Sequence, residues 1–234
     1  MPNGCNWSKM FNWSITEQPQ LQHFTDFLRR SMLPEVQPTV QPGRPIIDLP
    51  CVTKLNTSGM EFKGIEDTHL PQISLRRRKL GKWLPWFEIN ELQIPRILIC
   101  DQTEKIFRNL MALEIFHYPN NTYICHYTDL MDCLIDTDKD VDLLVEKGII
   151  VNWVGDIKAI VRMFNRLNLQ ILIENSSYYE VVKEMKAHYR HPWNHLKATL
   201  KDVYFSNLWT STATIGASFL LILTAIQTIY TMKQ

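Results

Sequence analysis

The feature that most constrains this chain lies near its C-terminal end, where no charged residue occurs from Val203 to Met232. Residues 208–230 read LWTSTATIGASFLLILTAIQTIY. As an α-helix they would extend about 35 Å, slightly more than the ~30 Å hydrocarbon core of a bilayer. The segment therefore predicts one C-terminal transmembrane helix, with a helix buried in a globular core as the alternative. The residues expected to form this anchor are Leu208, Trp209, Leu220, Leu221, Ile222, Leu223, Ile226 and Tyr230.

The charges around this segment predict its orientation. Arg190, Lys197 and Lys201 precede it, whereas only Lys233 follows it. The positive-inside rule then places residues 1–207 in the cytosol, with membrane lipid contacted through residues 208–230. Two small residues four apart, at 213 and 217, also allow helix–helix pairing in the membrane. Five N-x-[ST] sequons would accept glycans if the domain were lumenal instead: Asn6, Asn12, Asn56, Asn120 and Asn175.

Composition narrows the classes of function. Hydrophobic residues make up 45% of the 234, which is enough for a folded core, and the net charge of +1 argues against a nucleic-acid binder. The sequence has no G-x-G-x-x-G, P-loop or G-x-S-x-G motif. The five cysteines form no C-x-x-C pair and are expected to be reduced, mostly buried thiols. We therefore expect no enzyme, no catalytic residue and no cofactor.

Two patterns resemble metal sites without completing them. His188, His191 and His195 could stack imidazoles on one helical face, although Pro192 interrupts that helix and polar histidines are the favoured interpretation. Asp136, Asp138 and Asp140 imitate the start of a calcium loop, but Val141 and Lys147 occupy the positions that require Gly and Glu. Helix capping is the favoured role of these aspartates. An enzyme or a metal-binding protein that uses the three histidines is kept as the alternative function.

One basic run is mixed with aromatic residues and is the candidate interaction patch. It could bind phosphate groups, anionic lipid or an acidic protein partner, or it could be a solvated hairpin tip. The patch consists of Arg76, Arg77, Arg78, Lys79, Lys82, Trp83 and Trp86.

Hydrophobic periodicity predicts a mainly α (α+β) chain. Residues 1–33 contain one amphipathic helix with Leu21, Phe24, Phe27 and Leu28 on its apolar face, and the proline-rich residues 34–50 form a linker. Residues 51–207 form a domain in which a small antiparallel sheet or hairpins, near 60–99, precede several helices. The membrane helix, 208–230, and a short tail, 231–234, follow.

Five groups of residues, in this order, resemble one known family. They are LQHFTDFLRRSMLP (21–34), LPCVTKLNTSGMEFKG (49–64), ELQIPRILICDQTEKIFRNLMALE (91–114), MDCLIDTDKDVDLLVEKGIIVNWVG (131–155), and TLKDVYFSNLW (199–209) with LLILTAIQTIY (220–230). The family is the plant "domain of unknown function 247" family of UPF-type membrane proteins. The resemblance implies recognition by an unknown protein partner rather than catalysis, and it supplies no catalytic or ligand residues. Members are about twice as long, so the chain resembles a C-terminal half, and a non-functional truncated copy is a further alternative.

Overall fold

The computed structural model describes residues 24–34, 44–66, 69–80, 84–169, 171, 173–192, 194 and 208–231. This part of the chain is mainly helical with two small sheets, as the periodicity predicts. The helices are α1 (Phe24–Met32), α2 (Val52–Thr57), α3 (Thr103–His117), α4 (Tyr123–Leu134), α5 (Asp138–Glu146), α6 (Ile157–Asn168), α7 (Tyr179–Arg190) and α8 (Leu208–Thr231). The strands are β1 (Glu61–Ile65), β2 (Ser74–Leu80), β3 (Leu84–Pro95), β4 (Ile97–Ile99) and β5 (Ile150–Asn152).

The sheets are mixed rather than antiparallel throughout. β2 and β3 form the expected antiparallel hairpin, but β1 pairs with the other side of β3 in parallel, which gives the order β1-β3-β2. The second sheet pairs β4 with β5 in parallel. Parallel strands require a long crossover, and α3, α4 and α5 form the crossover between β4 and β5. The expectation of a purely antiparallel sheet is therefore wrong, because strand patterns reveal local hairpins and not such distant pairings.

Helix α4 lies at the centre of the core. Nine of its twelve residues are buried, including Tyr127 and Leu130, which have no exposed surface. The ring of Phe107 on α3 lies 6.4 Å from that of Tyr127, and the inner face of the first sheet contributes Leu92 and Ile94 to the same cluster. A helix that is apolar on most of its circumference has to be surrounded, and α4 is packed between α3 and α6.

Helix α1 buries charge where an apolar face was predicted. Phe24 is 69% exposed, whereas Asp26 and Arg29 are each 3% exposed, and Leu21 lies outside the described residues. The guanidinium of Arg29 donates to the carboxylate of Glu114 on α3 at 2.8 Å and to the carbonyl of Asn121 at 2.6 Å. These partners offset the loss of hydration, so Asp26 and Arg29 turn inward and Phe24 does not. Of the predicted apolar face, Leu28 packs against the core as expected.

Glu114 also closes the N-terminus of α4. Its second carboxylate oxygen accepts from the backbone N–H groups of Ile124 at 2.8 Å and Cys125 at 3.1 Å. Burial raises the pKa of Glu114, while Arg29 and these two amides act in the opposite direction. One fully buried carboxylate therefore holds α1, α3 and α4 together.

The buried carboxylate of Asp140 likewise connects two helices, but it has no cationic partner among the described residues. It accepts from the backbone and hydroxyl of Thr53 at 3.0 and 2.7 Å, and from both groups of Thr137 at 2.8 Å. Thr137 and Asp140 form a capping box for α5, and Thr53 lies in the first turn of α2. Burial raises the pKa of Asp140, but these hydrogen bonds outweigh it and lower the pKa below its usual value. The preferred capping role of the acidic stretch is confirmed at this residue.

The predicted transmembrane helix is not supported. Within the part of the chain that the structure covers, none of the helices is both long enough and apolar enough to cross a bilayer. Helix α8 does span the predicted anchor: it contains Leu208, Trp209 and Tyr230, and it exposes Leu220, Leu221, Ile222, Leu223 and Ile226. The cytosolic location predicted for residues 1–207 is not tested by the structure and stays a prediction.

The remaining expectations on the cysteines and the linker have mixed outcomes. Cys51, Cys125 and Cys133 are free, as expected, but Cys100 is disulfide-bonded. Within the linker, residues 35–43 lie outside the described residues, and residues 44–50 follow no regular helix or strand. Their apolar side chains Ile46 and Leu49 pack against the core.

Candidate functional site

The basic run lies on an outer strand. β2 occupies one edge of the three-stranded sheet, so one side of its backbone is unpaired within the described residues. Arg76, Arg77 and Arg78 are all exposed. Because side chains alternate along a strand, Arg76 and Arg78 lie on one face of the sheet and Arg77 on the other. The strand thus presents positive charge on both faces next to its free edge.

Acidic residues of the same chain neutralise part of this charge. Arg78 reaches across β3 to Glu61 at 2.8 Å and lies 4.0 Å from Glu91, and Arg77 lies 3.5 Å from Glu184 on α7. The arginine side chains of these pairs are 58% and 66% exposed. Exposed pairs of this kind contribute about 0–1 kcal/mol. The patch is therefore mixed in charge, and its ion pairs are weak.

The rest of the predicted patch is only partly visible. Lys79 lies in β2 and Trp86 in β3, while Lys82 and Trp83 lie outside the described residues. The structure thus brings the three arginines together with Lys79 on one strand and places Trp86 on the strand that pairs with it.

The histidine cluster does not form a metal site within the described residues, where no group of three metal-ligating side chains occurs. The Nε2 atom of His188 lies 3.1 Å from the carbonyl of Ser58, which can only accept, so Nε2 carries the proton. Its Nδ1 atom then accepts from Asn90 at 3.0 Å and Asn194 at 3.2 Å. His191 is exposed, and His195 lies outside the described residues. His188 thus ties α7 to β3 and to the end of α2.

A pocket that the sequence did not reveal lies at the N-terminus of α4. Its volume is about 500 Å³, and it is open to solvent between the α3–α4 loop and residues 171 and 173–175. The residues that line it are Ile115, Pro119, Asn120, Thr122, Cys125, His126, Ile171, Ile173, Glu174 and Asn175. The wall is apolar and amide-rich, and two of the predicted sequons, those of Asn120 and Asn175, begin there.

The side chains in this pocket are unsuited to nucleophilic catalysis. Burial lowers the pKa of His126 to about 4, so the imidazole is neutral at physiological pH. Its nitrogens lie beside the hydroxyls of Ser177 and, at 3.1 Å, Thr122. Burial, together with the carboxylate of Glu114, raises the pKa of the Cys125 thiol far above its usual value. A protonated thiol beside a neutral, hydrogen-bonded histidine is a structural arrangement rather than an activated pair.

The buried Arg29–Glu114 pair and the contact between Asp140 and Thr53 are further features that were not predicted from the sequence. Glu114 lies on a predicted helix, and sequence spacing does not bring it together with other titratable residues such as Glu104, Asp132 and His117. Its partner Arg29 is 85 positions away, so no local spacing signals the contact. Asp140 was visible as a cap of α5, but its bond to Thr53 spans 87 positions.

Comparison with known proteins gives one family and two relatives. The family model DUF247, described as "Plant protein of unknown function", matches residues 3–223. The chain is similar to UPF0481 protein At3g47200 of Arabidopsis thaliana, with 26% identity over 96% of this chain and 49% of that protein. It is also similar to the Putative UPF0481 protein At3g02645 of Arabidopsis thaliana, with 24% identity over 77% of this chain and 32% of that protein. The chain thus spans half or less of the length of these relatives. No solved structure matches.

Proposed function

The chain belongs to the DUF247 family of plant proteins of unknown function, and we propose that it acts as a protein-interaction module that binds an acidic partner along strand β2. The observation that carries this proposal is the row of three exposed arginines on an outer strand. An extended partner segment can add a strand to such an edge through backbone hydrogen bonds. Its carboxylates can replace the weak pairs that Arg77 and Arg78 make on the chain.

The charge pattern favours a protein partner over a lipid surface. Glu61, Glu91 and Glu184 lie between and beside the arginines, so a uniformly anionic surface would meet repulsion as well as attraction. An acidic peptide can place its carboxylates one by one against the arginines. Arg76 lies opposite Glu91 in the strand register and is the arginine nearest the start of β2, where such a peptide would begin to pair.

In this proposal the chain is not an enzyme. Both ring nitrogens of His188 are engaged by polar groups of the chain, which leaves the three-histidine metal enzyme without its first ligand. The thiol of Cys125 and the imidazole of His126 are held in unreactive forms. A non-functional copy is the remaining alternative, and no observation favours it.

Charge reversal of the strand tests the proposal. The variant carries Arg76→Glu, Arg77→Glu and Arg78→Glu, and the probe is a fluorescein-labelled peptide of ten glutamates, followed by anisotropy. We expect affinity to fall on the order of tenfold or more, because three attractive charges become repulsive. The matched control reverses three exposed basic residues of α6, with Lys158→Glu, Arg162→Glu and Arg166→Glu, and should bind within about twofold of wild type.

Three outcomes would contradict the proposal. Equal loss in the two triple variants would mean that net charge and not strand β2 attracts the peptide. Absence of measurable binding to the wild-type chain would remove the acidic partner. Binding to phosphatidylserine vesicles that the strand variant abolishes, without peptide binding, would assign the patch to lipid. Circular dichroism of each variant confirms that the fold is retained.

A further inference from the structure

The three exposed arginines of strand β2 differ in how the chain already engages them. Arg77 forms an ion pair with Glu184 at 3.5 Å, and Arg78 forms one with Glu61 at 2.8 Å. Arg76 is exposed as well, but it forms no ion pair with any of the described residues. One cation of the row is therefore unpaired, whereas the other two are paired within the chain.

Glu91 is the acidic residue that the strand register places beside Arg76, but its carboxylate is engaged elsewhere. Its Oε1 atom accepts from the side-chain amide of Gln93 at 2.7 Å, and its Oε2 atom lies 4.0 Å from Nε of Arg78. Glu91 is 8% exposed, so it lies beneath the exposed guanidinium groups. The guanidinium of Arg76 is thus left to solvent.

The two ion pairs lie on opposite faces of the sheet, because side chains alternate along β2. Their side chains are between 30% and 66% exposed, so water already competes for each pair. A partner carboxylate that approaches Arg77 or Arg78 still has to displace a glutamate of the same chain. One that approaches Arg76 displaces only water. Equal charges on one strand therefore differ in the affinity that each can contribute.

We propose that Arg76 is the principal contact of the acidic partner and that Glu61 and Glu184 compete with this partner. Each glutamate competes for the arginine with which it is paired. The inference rests on the function proposed for β2 and ranks the three arginines within it. It also describes the partner, which is an extended segment whose carboxylate opposite Arg76 contributes the most affinity. The neighbouring carboxylates contribute less, because each replaces an existing ion pair.

Single alanine variants of the full chain test the ranking, with the labelled ten-glutamate peptide as the probe. Arg76→Ala should weaken binding about fivefold, because an unopposed attraction is lost. Arg77→Ala should weaken it only about twofold, since the loss of the peptide contact is offset by the ion pair that no longer has to break. Equal losses, or a larger loss for Arg77→Ala, would overturn the role of Arg76.

Neutral variants of the competing glutamates test the second half of the proposal. Glu184→Gln and Glu61→Gln should each strengthen binding about two- to fivefold. Glu104→Gln is the matched control, because Glu104 forms an exposed ion pair of the same kind with Arg108 on α3, at 2.9 Å. It removes the same charge and should leave affinity within about 1.5-fold of wild type. Equal gains in all three variants would mean that net charge, and not competition, sets the affinity.

A double-mutant cycle isolates the competition from general charge effects. In the Glu184→Gln background, Arg77→Ala should cost about fivefold in affinity rather than twofold, because Arg77 is then as unopposed as Arg76. The effect of net charge is the same in both backgrounds and cancels in the cycle. A cost of Arg77→Ala that is unchanged by Glu184→Gln would overturn the competition.

The outcomes separate this inference from the function on which it rests. A wild-type chain that does not bind the peptide would overturn both. Binding that the triple arginine variant abolishes, without a ranking of the single variants and without coupling in the cycle, would overturn this inference alone. Circular dichroism of each variant confirms that a change in affinity is not a loss of fold.

Discussion

Arg29 and Glu114 form an ion pair at 2.8 Å, and so do Arg78 and Glu61. The side chains of the first pair are 3% and 0% exposed, and those of the second are 58% and 30% exposed. The two pairs therefore have the same N–O distance, but one lies in the protein interior and the other at the solvent-exposed surface. In the interior, removal of one partner leaves the other charge without water, whereas on β2 water replaces the lost partner at once. The first pair maintains the fold, whereas the second contributes little to it.

The largest effect should follow Glu114→Ala. The substitution leaves the buried guanidinium of Arg29 without its carboxylate and the amides of Ile124 and Cys125 without their acceptor. We expect the free energy of unfolding to fall by about 3–5 kcal/mol. Urea unfolding followed by circular dichroism measures it.

Glu104→Ala is the control on the same helix. Glu104 pairs with Arg108 at 2.9 Å on the surface, so its removal should change stability by no more than about 0.5 kcal/mol. If the two variants lost similar stability, burial would not be what separates the two kinds of pair.

The second-largest loss of stability should follow Asp140→Ala, which tests whether a buried carboxylate without a cationic partner also stabilises the fold. Its acceptor role joins α2 and α5, so we expect a loss of about 2–3 kcal/mol at pH 7. Asp142→Ala replaces an exposed aspartate on the same helix and should change stability by less than about 0.5 kcal/mol.

Because the folded state lowers the pKa of Asp140, the contribution of this residue to stability is present above pH 3.8 and declines as the pH falls below that value. A loss that persists unchanged at pH 2 would contradict the role of the ionised form.

Among the described residues, no cation and no hydrogen-bond donor lies beside the carboxylate of Asp129, and replacement of this residue should stabilise the chain. Burial and then the nearby Asp132 raise the pKa of Asp129 to about 6. The folded state thus holds its proton more tightly than the unfolded state, so this group's contribution is present below pH 3.8 and is lost as the pH rises through 6. Asp129→Asn should raise the unfolding free energy by about 1–3 kcal/mol at pH 8 and leave it unchanged at pH 3. Thermal melts at both pH values test this, and a variant that destabilises at pH 8 would contradict it.

Local sequence patterns explain why the helices of this fold were predictable. The spacing of Ile157, Ile160, Phe164 and Leu167 gives α6, and Thr137 marks the start of α5. These signals act within a few residues, and each helix can form its apolar face from its own sequence. The exposed arginines of β2 were predictable for the same reason, because a run of basic residues rarely lies in a core.

Distant contacts explain what was missed. Periodicity assigned Phe24 to the core-facing side of α1. Arg29 is buried instead, because Glu114 and the carbonyl of Asn121, from another part of the chain, accept hydrogen bonds from it. The parallel partner of β1 and the pocket beside His126 likewise depend on segments far apart in sequence. The predicted membrane span is not supported by the helices that the structure describes.

The smallest effect on stability should follow Arg78→Ala, which tests the exposed ion pair. Arg78→Ala removes the bridge to Glu61 and the longer contact to Glu91, and we expect stability to change by less than about 1 kcal/mol. Raising the salt concentration should shrink even this difference, because exposed charges are screened. The same variant should weaken binding of the glutamate peptide measurably. If Arg78→Ala instead destabilised the chain as much as Glu114→Ala, strand β2 would depend on this pair for its structure, and its arginines would not be available to exchange one acidic partner for another.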